Sequence, residues 1–102
     1  MVNNIDKIIS HSLAFIEDDY TELWVIVSKV QEENSKLTFE EIIDATKEVI
    51  KELVIKNKLK VLDEDNQESM NLSLNEILKL VEDKFRTLGK VPNIGDGIWL
   101  TI

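Results

Sequence analysis

Residues 37–63 read LTFEEIIDATKEVIKELVIKNKLKVLD, a helix start, a helix body and a short strand in direct succession. Thr38 and Glu41 have the spacing of a capping box, in which the Thr38 hydroxyl accepts from the Glu41 amide and the Glu41 carboxylate accepts from the Thr38 amide. Leu37 and Ile42 bracket the cap as a hydrophobic staple. Ile42, Ile43, Val49, Ile50 and Leu53 then recur at helical spacing, with Glu40, Asp44, Lys47, Lys51 and Glu52 on other faces. The helix is expected to end near Asn57. Leu59-Lys60-Val61-Leu62-Asp63 follows as a strand. A lone strand leaves its backbone donors and acceptors unpaired. The segment Ile98-Trp99-Leu100-Thr101-Ile102, rich in β-formers, is the one good partner.

Outward from this segment the same grammar repeats. Ser73 and Glu76 form a second capping box, and Leu72 and Ile77 its staple. Leu74, Ile77, Leu78, Val81, Phe85 and Leu88 make the apolar stripe, Gly89 is placed for a left-handed C-cap, and Pro92 prevents continuation. Toward the N-terminus, Ile5, Ile8, Ile9, Leu13 and Ile16 predict a first helix, with Phe15 alongside. Glu17-Asp18-Asp19 interrupts it. Asp19 and Glu22 then have the spacing to cap a second helix, which buries Leu23, Trp24, Val27 and Val30 and frays over 31–36. Residues 63–70 read as a polar, acidic loop. The expected class is α+β, mainly helical: about four helices and a two-stranded ribbon over 59–63 and 98–102, in one domain spanning 1–102. Two helices leading into such a ribbon give a winged-helix-like arrangement, with the fourth helix where the wing would be.

Composition narrows what this domain can do. Hydrophobic residues make up 43% and charged residues 31% of the 102, a balance that supports a packed core under a solvated surface. The 12 Lys+Arg against 20 Asp+Glu leave a formal net charge of −8. Such a surface repels phosphate backbones, so direct nucleic-acid binding is not expected. It either serves solubility or steers a basic partner. With no cysteine, the chain has no disulfide, no thiolate nucleophile and no cysteine metal site. Residues 1–7 lack a basic segment leading into an apolar run, and no stretch approaches the roughly 20 apolar residues of a membrane helix. A cytoplasmic protein with no membrane partner is expected.

Catalytic signatures fail one after another. The single histidine, His11, lies between Ser10 and Ser12 inside the first helix, without a Gly-x-Ser-x-Gly elbow, and reads as a surface or half-buried helical residue. Asp63, Asp65 and Gln67 alternate as at the opening of a calcium loop, but Glu68 and Leu74 occupy the positions that need Gly and Glu. No nucleotide-binding glycine motif occurs, and Gly95-Asp96-Gly97 reads as a turn. With 20 acidic residues, paired carboxylates for glycoside chemistry arise by chance. No enzyme, cofactor or metal is expected.

What remains is acidic surface, concentrated at Glu17, Asp18, Asp19, Tyr20 and Glu22, and again at Asp63, Glu64, Asp65 and Glu68. These are the candidate partner-binding residues. Tyr20 either lies against the core at the helix start or offers its ring to an interface. Trp24 and Trp99 read as packing residues. Residues 39–62, the Ser73-led helix and the closing Asp96-Gly97-Ile98-Trp99 resemble a group of small bacterial proteins, some of them immunity proteins of contact-dependent growth inhibition systems. That resemblance implies a binding protein that neutralises a cognate, basic, nuclease-type toxin domain. A winged-helix-like transcriptional regulator, or another protein-interaction adaptor, is the alternative. The regulator is weakened because Lys47, Lys51 and Lys56 share their helix with Glu40, Glu41, Asp44, Glu48 and Glu52.

Overall fold

The computed structural model describes residues 3–102; Met1 and Val2, part of the N-terminal segment inspected above for a leader, lie outside them. The elements run α1 (Ile5–Asp18), β1 (Thr21–Glu22), α2 (Leu23–Glu33), α3 (Phe39–Asn57), β2 (Lys60–Leu62), α4 (Leu74–Leu88) and β3 (Trp99–Thr101). Both expected capping boxes form. Glu41 N–H donates to Thr38 Oγ1 at 3.2 Å and Thr38 N–H to Glu41 Oε1 at 2.9 Å, and Ser73 and Glu76 repeat the pattern at 3.2 and 2.9 Å. Gly89 ends α4 with φ +67°, its N–H donating to Phe85 O at 2.9 Å. Lys58 does the same for α3 at φ +57°, a left-handed position held by a residue that adopts it less readily than glycine.

The class is α+β and mainly helical, and the strands of 59–63 and 98–102 pair, but the sheet has three strands in the order β1-β3-β2. The third is the finding that sequence reading missed. Thr21 pairs with Leu100 and Glu22 with Trp99, so Glu22, expected to complete a helix cap with Asp19, lies extended beside β3. The Asp19–Glu22 cap is therefore absent: α2 begins at Leu23 without a side-chain cap, and Leu23 N–H donates to Ile98 O at 2.8 Å. Asp19 instead accepts from the adjacent Tyr20 N–H at 2.7 Å. The 63–70 segment is more ordered than a loop. It turns back so that Met70 N–H donates to Val61 O at 2.8 Å and Ser69 bridges Leu62. The order α1-β1-α2-α3-β2-β3, with α4 inserted before the last strand, keeps the winged-helix-like arrangement.

Strand alternation places Thr21, Val61 and Leu100 inward on the core. One apolar cluster joins Ile8 and Ile16 of α1, Ile26 and Val30 of α2, and Val49 and Leu53 of α3 to Ile77, Val81 and Phe85 of α4. Phe39 meets Phe85 edge-on, with centroids 5.9 Å apart, where α4 lies against α3. The opposite sheet face carries Glu22 and Trp99. Trp99 is 39% exposed and not the packing residue expected from its neighbours, because Leu100 takes the inward position. Trp24 is half-buried.

Candidate functional site

The strand order brings the two acidic segments together. Tyr20 leads into β1 on one side of β3, and Asp63 leaves β2 on the other side. Asp19, Tyr20, Asp63, Glu64, Gln67 and Trp99 line one cleft of about 260 Å³. A larger, shallower depression of about 650 Å³ shares Asp19 and Tyr20 and continues to Glu17, Asp18, Asn57, Thr101 and Ile102. Tyr20 is 50% exposed, so its ring is available on the surface and does not lie against the core.

The sequence-predicted residues do not all join this surface. Glu22 is only 4% exposed and its carboxylate faces inward to a loop: Gly95 N–H donates to Oε1 at 3.0 Å and Gly97 N–H to Oε2 at 2.8 Å. It is a structural clamp, and burial removes it from any docking surface. Asp65 and Glu68 are exposed but stand away from the cleft lining, on the 63–68 turn. Asp63 organises that turn, accepting at Oδ1 from Asp65 N–H at 2.8 Å. Glu64 accepts from Ile98 N–H at 3.2 Å, so it both lines the cleft and holds the entry to β3.

Sequence reading missed Trp99, Gln67, Thr101 and Ile102. For Trp99 a signal existed: in Trp99-Leu100-Thr101 only one phase of the alternation can point inward, and Leu100 is the better core residue. The loop before β3 carried a signal in its glycines. Gly95 and Gly97 have φ of +87° and +102°, and a Cβ on Gly97 would stand 2.6 Å from Glu64 Oε1. Ile98 follows at φ +62°, a costly conformation for a β-branched residue, and it turns the chain into Trp99.

The ion pairs lie among the helices: Lys7 with Glu33, Lys29 with Glu32 and Glu33, Lys47 with Glu82, Lys56 with Glu52, Lys79 with Asp83, and Arg86 with Glu40 and Glu82. The hydrogen bonds of Arg86 hold the Glu40 carboxyl below the usual carboxylate range, and Lys47 does the same for Glu82. Among the described residues, Glu17, Asp18, Asp19, Asp63, Glu64, Asp65 and Glu68 form no salt bridge. The cleft carboxylates are therefore not tied up in ion pairs, although the Lys84 ammonium stands near Glu64 beside Gly97.

His11 stands on α1, its ring 5.0 Å from that of Phe15, and does not line the cleft. No group of three or more His, Asp or Glu among the described residues is placed to hold a metal ion. No described helix is long and apolar enough to cross a membrane. No protein-family model, curated protein or solved structure matches the chain.

Proposed function

We propose that this chain is a binding protein that offers its acidic, aromatic cleft to a basic protein, and that it acts as the immunity partner of a nuclease-type toxin domain in the cytoplasm. The observation that carries the reading is the convergence of Asp19, Asp63 and Glu64, none of them in a salt bridge among the described residues, around the exposed rings of Tyr20 and Trp99. Exposed aromatic residues supply contact area at low entropic cost, and an uncompensated acidic field speeds encounter with a positive surface. A nuclease presents such a surface to its substrate, so an acidic partner can occupy the same place.

The regulator reading draws support from element order alone. Against it, Lys47 and Lys56 of α3 are bound to Glu82 and Glu52, which leaves Lys51 among exposed Glu40, Glu41, Asp44 and Glu48.

The test is to produce, in cells with and without this chain, whatever toxin domain the neighbouring genes encode, and to follow growth together with calorimetry of the two purified proteins. Protection and a tight one-to-one complex are expected. Neither protection nor a complex would refute the proposal, and a sequence-preferring DNA complex at physiological salt would favour the regulator instead.

A further inference from the structure

We propose that the cleft between Tyr20 and Trp99 receives a single arginine side chain of the partner, an inference that rests on the basic-partner reading above. On the outer sheet face the Trp99 ring is exposed, whereas its neighbours Glu22 and Leu62 are covered. Two exposed rings stand at the cleft with Asp19, Asp63 and Glu64, and no Lys or Arg lines it. A volume of about 260 Å³ suits one long side chain better than a folded element. Two of the carboxylates are already oriented by the backbone. Asp63 Oδ1 accepts from Asp65 N–H and Glu64 Oε1 from Ile98 N–H, which leaves the second oxygen of each for an incoming donor. Lys84 Nζ approaches Gly97 near Glu64, yet makes no ion pair with it.

Charge complementarity alone would accept any cation. The rings argue for arginine. A guanidinium is planar, stacks on aromatic faces and forks onto carboxylates, whereas an ammonium is a compact and strongly hydrated point charge. The cleft pairs flat apolar surface with fixed acceptors, which is the combination a guanidinium exploits and an ammonium uses only in part.

Titration of the full chain with oligo-arginine and oligo-lysine peptides of equal length and blocked ends, followed by amide and indole NMR shifts, tests this. The arginine peptide should bind several-fold tighter, with its largest shifts at Tyr20, Glu64 and the Trp99 indole. Tyr20→Ala and Trp99→Ala should each weaken it by about two- to fivefold and weaken the lysine peptide less. Tyr20→Phe, which keeps the ring, should retain binding, so the exposed Tyr20 position decides the matter even if Trp99→Ala unfolds. Equal affinities for the two peptides, or an arginine preference untouched by both alanine variants, overturns the proposal. The toxin-protection assay is independent. Arginine preference without protection keeps this cleft and removes the immunity reading, while protection without arginine preference does the reverse.

Discussion

Glu22 carries the greatest structural demand of any single side chain near the cleft. Its two carboxylate oxygens take the amides of Gly95 and Gly97, and Glu22 itself is buried. Glu22→Ala removes the acceptor of both amides, which should destabilise the fold by about 1–3 kcal/mol in urea denaturation. A loss below about 0.5 kcal/mol, the ordinary scale of a surface substitution, would show that the clamp is dispensable. Gly97→Ala should also cost more than 1 kcal/mol, roughly, because it adds both a left-handed penalty and a clash with Glu64. Gly89→Ala, with open space around it, bears only the first. Glu22 also marks where reading by local spelling stops. Its spacing from Asp19 matches that of the true capping boxes, and only pairing with Trp99, distant in sequence, draws it into a strand.

The helices were legible because their signals are local. Thr38 with Glu41 and Ser73 with Glu76 each complete a reciprocal pair within one turn, so four residues suffice to place a start. Thr38→Ala and Ser73→Ala should each cost about 1 kcal/mol, measured by thermal or urea unfolding, with additive effects because the caps belong to different helices. The contact between α3 and α4 adds a dependence on acid. Glu40 is held below the ordinary carboxylate value by Arg86, Glu82 by Lys47, and Glu41 and Glu76 by the amides they cap. A lowered folded-state pKa stabilises the fold above the unfolded value and loses that contribution as pH falls through the folded value. Stability should therefore be level near neutrality and decline below the ordinary value of 4.5. Arg86→Gln should narrow its gap from the wild type as the pH enters that range. A gap that stays constant from neutral pH down to about 3 would show that the Glu40 pairing contributes nothing.

Across the whole molecule, the ion pairs join residues of the helices, and among the described residues the acidic cluster at one end of the sheet forms none. Reversal of Asp19 and Asp63 to lysine should slow association with the basic partner proposed above about tenfold at low salt, while the dissociation rate changes less. The difference should shrink as ionic strength rises. Rates that respond equally when Asp44 and Glu48, both exposed on α3, are reversed to lysine would mean that net charge and not location matters. The two acidic segments were each visible in the sequence. Their meeting was not, because it depends on which strand lies between them, and a two-residue strand at Thr21–Glu22 leaves almost no trace in composition.

The placement of β3 has a consequence for how the chain matures. Both flanking strands, drawn from residues 21–22 and 60–62, emerge from the ribosome well before the strand that joins them. Helices α1 to α3 can settle against one another early, while the two β segments wait with open backbone edges and the Glu22 carboxylate has no amides to hold. Closure over such a separation is the slow kind. A nascent chain halted at residue 92 would thus be helical yet cleavable at both waiting segments, and resistance to protease should appear only after Thr101 has been added and freed.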